Sequence, residues 1–192
     1  VTVNFSTAAG SPGNATYSKS LPNIPANSHY YYDLNDETLL PAGWYGSAEI
    51  SGGLPIAVVV HIFSGPDTLQ TYNALPAQLA ASRWSIPLFA SRLNNALSTP
   101  VTIQNISGTQ ISAGQIKLEC HPHAGSGNQQ DPLLVTNSSA IANRQTFIVN
   151  PVVDYTNLPT NWYGGCVVWT ETGQNIAVVI QQRHPGANSN AA

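Results

Sequence analysis

The sequence predicts an all-β protein made of two tandem β-sandwich repeats, the first of them lacking its opening strands. Three observations carry this expectation. Short β-branched and aromatic runs alternate with turn clusters, "SGG" at 51–53, "SGT" at 107–109, "AGSGN" at 124–128 and "TGQN" at 172–175, the pattern of sandwiches and barrels. No segment sustains a helical apolar period except residues 75–83, "LPAQLAASR", where one or two helical turns are expected. The chain also repeats itself.

"LPAGWYGSAEI" at 40–50 returns as "LPTNWYGGCVV" at 158–168, and "PIAVVVHIFSGP" at 55–66 returns as "NIAVVIQQRHPG" at 175–186, with offsets of 118 and 120. The opening "VTVNF" aligns more faintly with "IKLEC" at 116–120. A fixed period of this kind decides the architecture before any single element does. Residues 1–74 form the first, incomplete repeat, 75–84 a linker, 85–187 the second repeat and 188–192 a polar tail. Both sandwiches are read as Ig-like. The continuous apolar runs at 55–60 and 175–180 are expected to be the central strands of their repeats, because such runs suit strands buried on both faces.

The alignment places Cys120 opposite Phe5 and Cys166 opposite Ala48. A large and small pair in one copy becomes a Cys pair in the other, as expected if the two positions face each other across the core or on neighbouring strands. A disulfide there closes a loop of about 45 residues, for which chain entropy gives roughly 4 kcal/mol. Two buried thiols are the alternative. Neither Cys lies in a redox or zinc spacing.

Composition narrows the partners. Only 8% of residues are charged against 42% hydrophobic, and the usual charged share is about 25%. Ser, Thr, Asn and Gln take the surface, which suits an extracellular, oxidising setting. A net charge of −3 with six scattered basic residues offers no footprint for nucleic acid. No apolar run approaches the roughly 20 residues of a membrane span, so no membrane insertion is expected. Val1 reads as a processed or excised start, since neither an initiator Met nor a basic, apolar leader precedes it.

Candidate sites are few. Asn-x-Ser/Thr triplets stand at Asn4, Asn14, Asn105 and Asn137, and Asn14 and Asn137 are expected in long loops able to carry a glycan. His121, His123 and His184 are grouped by the repeat, but Pro122 and the lack of a further ligand favour a solvated loop over a metal site. Asp33, Asp36 and Glu37 cluster without the regularity of a calcium loop, and the second copy keeps only Asp154 in a similar place. No nucleotide, metalloprotease or hydrolase motif occurs, so neither catalytic residues nor cofactors are assigned. Trp44 and Trp162, each followed by Tyr-Gly, and Tyr31 in the run from Tyr30 to Tyr32 are candidate sugar-stacking aromatics. Core anchoring is favoured for the two Trp, and strand alternation puts Tyr31 on the face opposite its neighbours.

The pieces "LPAGWYGSAEI", "PIAVVV", "TYNAL" and "IPLF…STPVTIQNISG" together resemble a tandem β-sandwich module of secreted, multi-repeat surface proteins from filamentous, often thermophilic, bacteria. That resemblance implies architecture and a secreted or cell-surface location, and brings no catalytic residues. The first copy departs from the module by lacking its own "IPLF…VTIQN" strands. Whichever copy uses residues 85–105, the other keeps an open edge, and open edges invite strand addition. The expected function is an extracellular structural subunit that polymerises head to tail with itself into a fibre or layer; the competing explanation of the open edge is that the chain is cut from a longer array whose preceding segment supplies the missing strands. A pair of carbohydrate-binding or adhesion modules recognising glycans is the rival.

Overall fold

The computed structural model describes residues 1–63, 69–94, 97–126, 131–156 and 158–183. The β-branched runs form strands β1 (Thr2–Thr7), β2 (Thr16–Ser20), β3 (Gly46–Ser51), β4 (Val59–Phe63), β5 (Leu69–Asn73), β6 (Arg83–Ser91), β7 (Val101–Asn105), β8 (Ile116–Pro122), β9 (Leu133–Thr136), β10 (Thr146–Val149), β11 (Trp162–Thr170) and β12 (Ile176–Ile180). Helical structure among the described residues is confined to 3-10 turns at Leu34–Asp36 and Ala77–Leu79. The second of these is the turn expected from "LPAQLAASR".

The C-terminal half is a β-sandwich. One sheet has the order β6-β11-β8-β9 and the other β10-β7-β12, with every pair antiparallel. Alternation aims Val101 and Ile103 of β7, Ile116, Leu118 and Cys120 of β8, and Trp162, Cys166 and Val168 of β11 into one core, joined by Ile86, Phe89 and Ile176. Burial of each large aliphatic side chain contributes roughly 1.5–3 kcal/mol. Trp84 closes the side where β6 and β12 meet, its indole N–H donating to the carbonyls of Ala81 (3.1 Å) and Ile176 (2.9 Å). Counted from β6, the sheets read 1-6-3-4 and 5-2-7. The immunoglobulin constant arrangement shares the 3–6 and 2–5 pairs. The first and last strands are exchanged, so that β6 lies on β11 and β12 on β7.

The N-terminal half contains a sheet of order β2-β1-β3 and a separate β4-β5 hairpin. The three-stranded sheet repeats β9-β8-β11 residue for residue. Val3 pairs with Ile50 as Leu118 pairs with Val168, and Phe5 pairs with Ala48 as Cys120 pairs with Cys166. On the other side, Val3 meets Lys19 and Phe5 meets Tyr17 as Leu118 meets Val135 and Cys120 meets Leu133. The recurring Trp-Tyr-Gly also gains its reason. A Cβ on Gly46 would lie 2.2 Å from the Ser6 carbonyl oxygen, and one on Gly164 would lie 2.0 Å from that of His121, so both places require bare backbone.

Two expectations are corrected. The run at 175–180 supplies β12, an edge strand beside β7, and β7 is the central strand of that sheet. The run at 55–60 is not a central strand either: residues 55–58 carry no strand pairing, and Val59 and Val60 open the β4-β5 hairpin. The linker's last residues also belong to the second sandwich, since Ala81 bridges Ile176 and β6 begins at Arg83. The polar tail at 188–192 lies outside the described residues.

Candidate functional site

Cys120 and Cys166 form a disulfide between neighbouring strands, in the register that the repeat alignment implies. The corresponding Phe5 is stacked edge-on against Trp44 at 5.7 Å, and Trp162 meets Phe89 of β6 in the same geometry at 5.9 Å. Phe5 thus supplies within β1 the ring that β6 supplies in the other half.

The aromatic candidates separate by burial. Trp162 is fully buried, which removes it as a sugar platform, and Trp44 is half-buried with its indole N–H donating to Thr7 Oγ1 at 2.8 Å. Residues 30–32 are not a strand, so the expected alternation fails. Tyr30 and Tyr31 are both exposed, at 46% and 64%, while Tyr32 turns inward against Phe5.

Beneath Tyr32 lies a buried carboxylate. Glu37 accepts a hydrogen bond from the Tyr32 hydroxyl and a second from the Leu39 N–H (2.9 Å), and pairs with Lys19 Nζ at 3.2 Å. The Tyr32 hydrogen bond leads the interactions holding the Glu37 pKa at about 2, against an opposing effect of burial. Burial, followed by the hydrogen bond to this carboxylate, pushes Tyr32 above its ordinary value. Asp33 caps the 3-10 turn by accepting from the Asn35 N–H at 2.9 Å. Lys19, the three Tyr, Asp33, Asp36 and Glu37 line a shallow cleft of about 230 Å³.

The four Asn triplets are not equivalent. Asn14 is exposed in the turn between β1 and β2. Asn4 is half-buried on β1, accepting from Ser18 Oγ at 2.9 Å. Asn105 and Asn137 are buried structural residues, which corrects their reading as glycan acceptors. Asn105 Nδ2 donates to the carbonyls of Thr109 (2.7 Å) and Ile141 (2.9 Å), leaving no amide hydrogen for a sugar. Asn137 Nδ2 donates to Ser112 O (2.9 Å) and Ser139 O (2.8 Å), and its Oδ1 accepts from the Ile116 N–H (2.8 Å). The two Asn fasten the β7–β8 and β9–β10 loops to each other, with Ile111 and Ile141 exchanging backbone hydrogen bonds between them. The signal in the sequence was a second, shorter recurrence, Asn-x-Ser followed by Ile and Gln, at 105–115 and 137–145.

Among the described residues no group of three or more His, Cys, Asp or Glu is placed to hold a metal. His121 pairs with Glu119 (2.7 Å) and His123 stacks on Tyr163. His184 lies outside the described residues. Asp154 is spent on the Asn150 N–H, which it accepts at 2.7 Å.

The remaining candidate is the flank of the N-terminal half. In the C-terminal half β11 lies between β6 and β8, whereas among the described residues β3 makes strand pairs with β1 alone. Residues 28–31, which the repeat aligns with β10, make no strand pairs among the described residues, and of residues 56–60, which it aligns with β12, Val59 and Val60 alone pair, with Asn73 and Tyr72 of β5. The burial of matched residues follows from this. Ile176 is fully buried and Ile56 is 43% exposed; Cys166 is buried and Ala48 exposed; Val168 is buried and Ile50 half-buried. No helix among the described residues is long and apolar enough to cross a membrane. No family model, curated protein or solved structure matches the chain.

Proposed function

We propose that the chain is an extracellular, non-catalytic structural protein, the subunit of a surface fibre or layer assembled through β-strand edges. The observation that carries the reading is the open flank of the N-terminal half: a sheet with the pairings of β9-β8-β11, a β3 edge unpaired among the described residues, and the exposed Leu54 and Ile56 that follow β3 in the chain. A disulfide and a weakly charged surface suit an oxidising, extracellular setting. Unpaired strand edges are templates for another chain. The test is negative-stain imaging and sedimentation of the oxidised chain over a range of concentrations. Filaments or sheets are expected. A monomer at every concentration, with the amides of β1 to β3 and residues 54–58 fully protected from exchange, sinks the reading.

Glycan adhesion is the second reading, favoured by the exposed Tyr30 and Tyr31 beside Asp33 and Asp36 in one cleft. Stacking on sugar rings needs such exposed aromatic faces together with polar groups for the hydroxyls. Glycan binding that disappears in Tyr31→Ala with the fold intact would favour it.

A further inference from the structure

We propose that the outer face of the β2-β1-β3 sheet, where the β9–β10 loop meets it, is a binding site for a small neutral saccharide. Residues paired directly across antiparallel strands share a face. Asn4 pairs with Ser18 and Glu49, and Ser6 with Thr16 and Ser47, so all six side chains stand on one side of the sheet, opposite to Phe5. Arg144 reaches that side from the loop before β10 and contacts Glu49 through Nε at 2.6 Å. Asn4 to Ser6, Thr16 to Ser18 and Arg144 line a cleft of about 380 Å³, a volume within the range of small-molecule sites. None of these lining residues belongs to β3 or to residues 54–58.

The cleft is held in shape and keeps unspent hydrogen-bonding groups. Arg144 sits in the left-handed region at φ 72°. It is fixed there by its N–H donating to the Asn105 carbonyl (2.7 Å) and by its own carbonyl accepting from Ser47 Oγ (2.8 Å) and Gln104 Nε2 (3.0 Å). Such local strain persists where surrounding contacts over-determine it, and it concentrates at functional sites. With Nε given to Glu49, both Nη groups of the guanidinium have no partner among the described residues. Asn4 accepts from Ser18 Oγ at 2.9 Å through Oδ1, and its Nδ2 donates to nothing among the described residues. Ser6 is 2% exposed, yet its hydroxyl makes no hydrogen bond among them. A buried hydroxyl without a partner costs the fold free energy, and a ligand oxygen in the cleft would remove that cost. The free groups are all donors, with the Ser6 and Thr16 hydroxyls able to accept as well, so the ligand must carry acceptor oxygens. Glu49 offsets the charge of Arg144, so the cleft does not select an anion. A saccharide, whose closely spaced hydroxyls both accept and donate, meets both conditions.

The experiment uses the full oxidised chain, made in a host that does not glycosylate it, with the methyl glycosides of glucose, galactose, mannose and N-acetylglucosamine as probes. Side-chain NMR should show saturable shifts of the Asn4 amide and Arg144 guanidinium signals with at least one of the four. Three variants are chosen to keep the fold. Asn4→Asp retains the acceptor for Ser18 and loses the donor, Arg144→Lys retains a cation for Glu49 and loses the planar fork, and Ser6→Ala removes a hydroxyl that has no partner. Each is expected to weaken binding at least tenfold while the backbone spectrum away from the cleft stays unchanged. Silence of both side chains to all four glycosides overturns the proposal. So does a response confined to sulfate or glucuronate, which makes the cleft an anion site. Saccharide binding that survives the three variants and disappears in Tyr31→Ala overturns it as well, because it places the sugar in the separate cleft beside Tyr30 and Tyr31.

Discussion

Ala48 stands directly across from Phe5 on neighbouring antiparallel strands, the relationship that Cys166 and Cys120 repeat in the other half as a covalent bond. The repeat has one slot with two solutions. In the N-terminal half a ring fills it and supports Trp44; in the C-terminal half Phe89 of β6 supports Trp162 and the slot is free for a disulfide.

Loss of the disulfide should therefore be felt in one half only. The double variant Cys120→Ser, Cys166→Ser is expected to lower the stability of the C-terminal half by roughly 4 kcal/mol on the chain-entropy model. Separate thermal transitions followed by exchange-mass spectrometry would read this. An equal loss in both halves would show that they unfold as one unit.

The indole N–H groups give a second asymmetry. Trp44 donates to Thr7, but the position matching Thr7 on β8 is Pro122, and the buried Trp162 Nε1 has no partner among the described residues. An unmet buried N–H costs about 1–3 kcal/mol. Pro122→Thr is expected to raise the denaturant midpoint of the C-terminal half, and Thr7→Val to lower that of the N-terminal half by about 1 kcal/mol. A neutral Pro122→Thr would place the new hydroxyl out of the indole's reach.

How much of this was legible follows from what repeats and what does not. The register of the Cys pair could be read because the alignment set Phe5 and Ala48 in the same two places, and strand pairing preserves such correspondences. The edge position of β12 could not be read from "NIAVVI". An edge strand packed on a core and a central one carry the same apolar run, and the difference lies in the chain segments beside it. The matching "PIAVVV" shows this more sharply, since nearly the same residues are mostly exposed there and only Val59 and Val60 pair, with β5, among the described residues. Tyr31 departs from the expected alternation because residues 30–32 form no strand, and a period of two has no meaning outside one. Asn105 and Asn137 were hidden by their resemblance to glycan triplets, since Asn-x-Ser is also the signature of a side chain folding back onto its own loop.

Acid should open the N-terminal half through Glu37. Its folded pKa of about 2 lies below the ordinary carboxylate value of 4.5, so protonation is harder in the folded state. The stabilisation is complete above the ordinary value and is lost as pH falls through that value toward about 2. Tyrosine fluorescence of the chain should change across that window, and Glu37→Gln should flatten the dependence. A variant with the same acid profile would assign the transition to other carboxylates.

The last prediction separates glycosylation from loop fastening at the four Asn triplets. Asn137 uses both amide hydrogens and its carbonyl oxygen inside the loops, and Asn105 uses both amide hydrogens in the same way. Removing the Asn137 side chain strands a buried Ile116 N–H and two carbonyls, so Asn137→Ala is expected to cost about 2–4 kcal/mol, taking each lost bond near 1 kcal/mol and adding a desolvated donor. Asn14 is exposed in the β1–β2 turn, and Asn14→Ala removes no side-chain bond among the described residues, so its cost should stay within about 0.5 kcal/mol. When the chain is expressed in a glycosylating eukaryotic host, glycopeptide mapping should find sugar on Asn14, none on Asn105 or Asn137, and at most partial occupancy of the half-buried Asn4. Sugar attached to Asn137 in natively folded material would mean that the loops close without its amide. In that case Ile111 and Ile141, which exchange backbone hydrogen bonds at 3.0 and 2.8 Å, would have to hold the two loops together by themselves.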